Sequence, residues 1–153
     1  MNPKGLASRR EFMAEALNEA YKGLKAGGIP IGSVVVKNGE IVGRGHNRRI
    51  QRSSAILHAE MDALENTGRQ PASFYSDVIL YTTLSPCSMC SGAILLYKIP
   101  HVVIGENRNF LGEEDLMKAR KVIVEVLGDR DCIEMMSNFI LSKPLLWNED
   151  IGI

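Results

Sequence analysis

The chain has 153 residues, 45% hydrophobic and 24% charged, an ordinary mix for one domain with a single core. Eighteen basic residues balance eighteen acidic ones, so the overall basic character that favours a polyanionic partner is missing and no nucleic acid is expected. No apolar run approaches the roughly 20 residues that span a bilayer, and the start, Met1 to Gly5, lacks the apolar stretch of a secretory signal. Three cysteines with no disulfide framework suit a reducing compartment, so one cytoplasmic domain over residues 1–153 is expected, without a membrane partner.

Ser8-Arg9-Arg10-Glu11 reads as a capping box that opens a helix. Phe12, Met13, Ala16, Leu17, Ala20, Tyr21 and Leu24 follow at helical spacing, and Gly27-Gly28 with Pro30 ends the run. Ile31 to Val36 is a β-branched strand, and Lys37-Asn38-Gly39-Glu40 turns it into a second strand, Ile41 to Gly45. His46 to Ala55 reads as a loop, and its cluster Arg48, Arg49 and Arg52 as a solvated flank. A helix is expected from His58 to Asn66, closed by Gly68, then a strand from Val78 to Thr83. Cys87 to Tyr97 is a helix with an apolar face of Ala93, Leu96 and Tyr97. After Pro100 come a strand from His101 to Gly105, a loop to Leu111 and a short helix from Glu113 to Arg120. A strand from Val122 to Leu127, a helix from Cys132 to Leu141 and a tail from Lys143 complete the chain. Helices alternating with strands after an initial hairpin imply an α/β sandwich around a five-stranded mixed sheet.

His58-Ala59-Glu60 and Pro86-Cys87-Ser88-Met89-Cys90 carry the chemistry. Cys87 and Cys90 at i, i+3 share one face of a helix start, where the helix N-terminus favours thiolates. His58 opens its own helix and completes three zinc ligands. Structural zinc normally takes four protein ligands, while three leave a position for water. The absence of a second C-x-x-C argues against a zinc ribbon, and a histidine motif and two strands upstream argue against a redox pair. Glu60, two residues past the histidine, is placed to serve that water as general acid and base. H-x-E with P-C-x-x-C is the general signature of zinc nucleobase deaminases. Cys132 reads as a core residue, and His46 and His101 as structural or exposed.

The chain resembles the cytidine-deaminase-like superfamily and, within it, the fungal-type cytosine deaminases. The likeness rests on Gly45-His46-Asn47, the two zinc motifs, Gly105-Glu106-Asn107-Arg108-Asn109-Phe110 and Trp147-Asn148-Glu149-Asp150-Ile151-Gly152. It implies a three-layer α/β/α sandwich, a homodimer and one zinc ion per chain held by His58, Cys87 and Cys90, with Glu60 as proton shuttle. It implies substrate-binding roles for Asn47, Asp150, Phe110 and Trp147, with Ile31 and the backbone of Ala59 as further pocket residues. Asp150 is expected to act on the substrate and to spare the metal. The implied activity is hydrolysis of free cytosine to uracil and ammonia in pyrimidine salvage, a reaction at the C–N bond of a cyclic amidine. Zinc-bound hydroxide would attack C4 while Glu60 protonates N3. His-Ala-Glu in place of His-Gly-Glu leaves isocytosine, 5-substituted cytosines or adenosine in tRNA as alternative substrates.

Overall fold

The computed structural model describes residues 3–153, with side chains from Ser8 onward; Met1 and Asn2, part of the expected single domain and of the start read for a secretory signal, lie outside the described residues. The sheet has five strands: β1 (Gly32–Lys37), β2 (Glu40–His46), β3 (Val78–Leu84), β4 (His101–Glu106) and β5 (Ile123–Val126). Their spatial order is β2-β1-β3-β4-β5. β1 runs antiparallel to both β2 and β3, whereas β3, β4 and β5 are mutually parallel neighbours, so the sheet is mixed as expected. Asn38 and Gly39, with φ of 51° and 79°, make the tight turn between β1 and β2. Left-handed backbone at both central positions matches the twist of a two-residue hairpin.

Among the described residues six α-helices accompany the sheet: α1 (Pro3–Lys25), α2 (Ala59–Thr67), α3 (Ser88–Leu96), α4 (Glu114–Ala119), α5 (Arg130–Ser142) and α6 (Pro144–Asp150). Alternation along the strands divides the core between the two faces. Val35, Leu80, Val102 and Ile104 pack with Ala63 of α2, Ile94 of α3 and Met117 of α4. Val34, Val36, Tyr81 and Val103 point the other way, onto Met13 and Ala16 of α1 and Cys132 of α5. This gives three layers. Among the described residues, no helix is long and apolar enough to cross a membrane.

The helices differ from the sequence expectation in three places. α1 begins at Pro3, so Ser8 lies inside it and does not cap it. The apolar face expected for α3 points outward: Leu96 is 70% and Tyr97 42% exposed, while Cys90, Ser91 and Ile94 face the core. The tail contains a helix, α6, whose Pro144 occupies a first-turn position where its missing N–H costs nothing.

Two features aim the helices at one edge of the sheet. A Cβ at Gly45 would stand 2.5 Å from the Ala63 backbone nitrogen, and one at Gly43 would meet Thr67 and the Ala63 carbonyl. Glycine at both positions lets α2 lie flush on β2, which fixes where its first turn points. Ile31, at the entry to β1, lies beside the ends of β3 and β4 because β1 is antiparallel to β3; there the Gly32 N–H donates to Thr83 Oγ1 at 3.1 Å. Ligand sites of open α/β sheets form outside the carboxyl ends of parallel strands, and a third apolar cluster gathers at this edge. It joins Ile29, Ile31, Ala59 and Leu84 to Met136, Phe139 and Trp147.

Candidate metal centre and the pocket above it

His58 and Cys87 occupy the N-cap positions of α2 and α3, both in extended backbone. The two helix starts therefore meet at the sheet edge, and Cys90 joins from the first turn of α3. His58 Nδ1 lies 3.3 Å from Cys87 Sγ and 3.7 Å from Cys90 Sγ. All three donor atoms lie within 4.8 Å of one another. A tetrahedral zinc with bonds of about 2.0–2.3 Å requires ligand atoms about 3.6 Å apart. One imidazole nitrogen and two thiol sulfurs at this spacing fit that ion.

The three donor groups shift one another strongly: Cys87 and burial hold Cys90 as a thiol, while the other two are drawn towards their charged forms. Burial opposes a charge on His58, but contacts with Asp150 and Cys87 outweigh it and raise its pKa to about 10. Hydrogen bonding from Cys90, and then from His58, draws the Cys87 thiol down to about 4 against the effect of burial. As protein groups alone, the cluster holds an imidazolium beside a thiolate. A metal cation takes the place of the protons that lie between the ligands and releases them.

Glu60 is 4% exposed, in the first turn of α2. Burial raises its pKa, which suits a carboxyl group that must both accept and return a proton. Thr82 Oγ1 donates to Glu60 Oε1 at 3.0 Å. Sequence reasoning missed Thr82; the available signal was a threonine two residues after Leu80 in β3, on the same face of the strand.

Ile31, His58, Glu60, Leu84, Ser85, Cys87, Phe110, Trp147, Asp150 and Ile151 line one small pocket. Its cavity is about 20 Å³, room for little more than a water molecule. Phe110 and Trp147 close it edge-to-face, with ring centroids 6.0 Å apart at 87°. The loop that carries Phe110 is held by buried Glu106, which accepts from the Arg108 and Asn109 N–H groups at 2.7 and 3.0 Å and from Asn109 Nδ2 at 2.8 Å. Neither Asn47 nor Ala59 is among the lining residues. Asn47 is fully buried behind Asp150, to which its Nδ2 donates, 3.1 Å from both carboxylate oxygens, while its Oδ1 accepts from the Arg49 N–H at 3.1 Å.

One sequence expectation needs correction here. Arg49 is not a solvated flank: its side chain is 14% exposed and contacts both Glu149 and Asp150 of α6. Its neighbours are paired too, Arg44 with Glu15 and Glu19, and Arg48 with Asp62. Asp150, expected as a substrate-binding residue, also has its Oδ1 3.4 Å from His58 Nε2. A histidine that binds metal through one nitrogen commonly offers the other to a carboxylate, which fixes the ring and raises its basicity as a ligand. Burial would raise the pKa of Asp150, but His58, Asn47 and Arg49 outweigh it and hold the carboxyl below its usual range. The remaining histidines are structural as expected: His46 Nδ1 pairs with Glu19 at 3.2 Å and His101 Nε2 with Glu125 at 3.2 Å. Cys132 is buried, and burial pushes its thiol pKa far up, as befits a core residue.

Residues 6–106 match the family described as the cytidine and deoxycytidylate deaminase zinc-binding region. The chain is 56% identical over 138 residues to a cytosine deaminase of Candida albicans, covering 90% of this chain and 92% of that one. It is 42% identical over 147 residues to a tRNA-specific adenosine deaminase of Streptococcus pyogenes, with 90% and 92% covered. A solved structure of guanine deaminase from Bacillus subtilis superposes with a TM-score of 0.56 and 31% identity, covering 78% of this chain and 70% of that one.

Replacing Asp150 with alanine leaves all three metal ligands in place but removes the partner of His58 Nε2. Zinc affinity is expected to fall about 10- to 100-fold, read by competition with a chromophoric chelator. Unchanged affinity would mean that the 3.4 Å contact does not orient the histidine.

Proposed function

The chain belongs to the cytidine and deoxycytidylate deaminase zinc-binding family, a zinc-dependent hydrolase family, and from that membership we propose that it converts free cytosine to uracil and ammonia in pyrimidine salvage. One observation carries the choice of a small free base: α6 brings Trp147 and Asp150 over the metal ligands and leaves a cavity of about 20 Å³, so even a flat base needs the cover to shift and each added group needs it to shift further. A nucleoside adds a sugar to that demand and a polynucleotide adds a backbone. The identity of 56% to the Candida albicans cytosine deaminase supports the same choice. A net charge of +0, with Arg44, Arg48 and Arg49 paired to carboxylates, supports a partner other than RNA.

His58, Cys87 and Cys90 would hold one zinc ion per chain, which would supply hydroxide near neutral pH. Glu60 takes the proton of the attacking water, delivers it to N3 and helps to protonate the departing amine. Thr82 holds Oε1 of Glu60, so Oε2 is the atom to carry the proton. Asp150 Oδ1 faces Asn47, Arg49 and His58, whereas Oδ2 takes Asn47 alone among the described residues. Oδ2 therefore has the acceptor capacity for the exocyclic amine. Asn47 Oδ1 keeps a second lone pair, and once α6 shifts to admit the base it can accept the N1–H, a hydrogen that a nucleoside lacks. Phe110 and Trp147 exclude water from the flat ring, with Ile31 as a wall and the backbone of Ala59 as a further contact. Three unpaired cysteines support a cytoplasmic setting. The outward apolar face of α3, with Leu96 and Tyr97, supports a homodimer.

The deciding measurement is ammonia release from cytosine, isocytosine, 5-substituted cytosines, cytidine, adenosine and a tRNA anticodon stem in parallel. Cytosine is expected to turn over fastest. Preferential turnover of the stem would instead assign the activity carried by the Streptococcus pyogenes relative. Glu60→Gln should retain zinc and lose at least about 10²–10⁴-fold in kcat, the usual worth of a general acid–base. Near-normal turnover would exclude Glu60 as the shuttle. Leu96→Glu should shift the sedimentation mass from two chains towards one with the circular dichroism spectrum preserved; an unchanged mass would remove this face from the interface.

A further inference from the structure

Arg49 lies in the loop between β2 and α2, one hundred residues from the helix that covers the pocket. Its guanidinium forks onto the Glu149 carboxylate, with Nη1 to Oε2 and Nη2 to Oε1 both at 2.8 Å. Nη1 also reaches Asp150 Oδ1 at 3.2 Å. On the loop side, Nε donates to the Ala55 carbonyl at 3.0 Å, and the Arg49 N–H donates to Asn47 Oδ1 at 3.1 Å. Every guanidinium nitrogen is thus engaged, and the loop is joined to two successive residues of α6.

An isolated exposed ion pair contributes little, because solvent screens it and two flexible side chains must be ordered. This pair differs in form. Arg49 is 14% exposed, its plane is already fixed by Ala55, and a bidentate fork sets orientation as well as distance. Glu149 itself is 60% exposed, so apolar packing does not account for where it points. The same helix turns Trp147 inward against Phe110 and presents Asp150 to His58.

We propose that Arg49 is a positioning residue that latches α6 over the pocket. The fork to Glu149 holds the helix down, and the Nη1 contact aims Asp150 Oδ1 at the metal-binding histidine, leaving Oδ2 towards the pocket. The consequence for turnover rests on the deaminase reading above; the latch itself is a property of the fold. Weakening the fork raises the share of time the cover is open, so substrate is held less tightly and product leaves sooner. KM rises while kcat is unchanged or increases.

Trp147 is the chain's single tryptophan, so its fluorescence reports the cover with no substrate present. Arg49→Met, Arg49→Lys, Glu149→Gln and the Arg49→Met/Glu149→Gln pair, all zinc-loaded, are compared by acrylamide quenching and by cytosine kinetics. Loss of a bidentate, charge-assisted contact is expected to raise quenching about threefold and KM about tenfold in both Arg49→Met and Glu149→Gln. Arg49→Lys, a point charge that cannot fork, should restore only part of the effect, and the double variant should be no worse than Arg49→Met. Glu149→Gln changes an exposed side chain and keeps the test valid if Arg49→Met fails to fold. Quenching and KM unchanged in Glu149→Gln overturn the latch, including the case in which Arg49→Met alone has an effect. Absence of cytosine turnover in the unaltered protein overturns the substrate reading only, because the Trp147 signal needs no substrate.

Discussion

The carboxylate of Asp150 is the contact on which the site depends. One oxygen faces Asn47 and Arg49 from the loop after β2 and His58 from the N-cap of α2, and the group is 6% exposed. A buried charge of this kind is stable only while its donors stay in place. His58, the loop after β2 and the helix over the pocket are consequently coupled through this one carboxylate. A displacement of any one removes a partner from the others.

The sheet supplies the rest of the geometry. Because β1 is antiparallel to β3, its entry and the exits of β3 and β4 share an edge, and two helices can begin there with their N-termini converging. The partial positive charge of those N-termini favours thiolate at Cys87, whose pKa is drawn down to about 4. Gly43 and Gly45 complete the arrangement by allowing α2 to approach β2 without an intervening side chain, which brings Glu60 close to Thr82. Chemistry and architecture are thus linked at residues that carry no reactive group.

Much of this was legible in the sequence, for identifiable reasons. The zinc ligands were readable because metal geometry demands fixed residue types at short spacing, and the hairpin because Asn38-Gly39 has few other uses. The strands followed from β-branched runs between turn residues. What escaped notice depended on long-range pairing. Arg49 is one arginine in a basic loop until α6 places Glu149 against it, and Thr82 is one of two adjacent threonines until α2 presents Glu60. The apolar face of α3 was legible but its outward direction was not, because helical periodicity reports that a face is apolar and says nothing about which neighbour covers it. Asp150 was read from the family resemblance as a substrate ligand, and its contact with His58 became visible only with the tail folded.

The separation along the chain of the contacts around Asp150 also orders the assembly of the site. His58 and Cys87 are 29 residues apart and His58 and Cys90 are 32, whereas Arg49 and Glu149 are separated by 100 and Asn47 and Asp150 by 103. Closing a longer loop costs more chain entropy, and long-range contacts are made late. The metal ligands can therefore gather while the terminal helix is still unpaired. Gathering the three ligands thus costs less chain entropy than laying α6 over them, and the cover is the costlier part of the site to assemble.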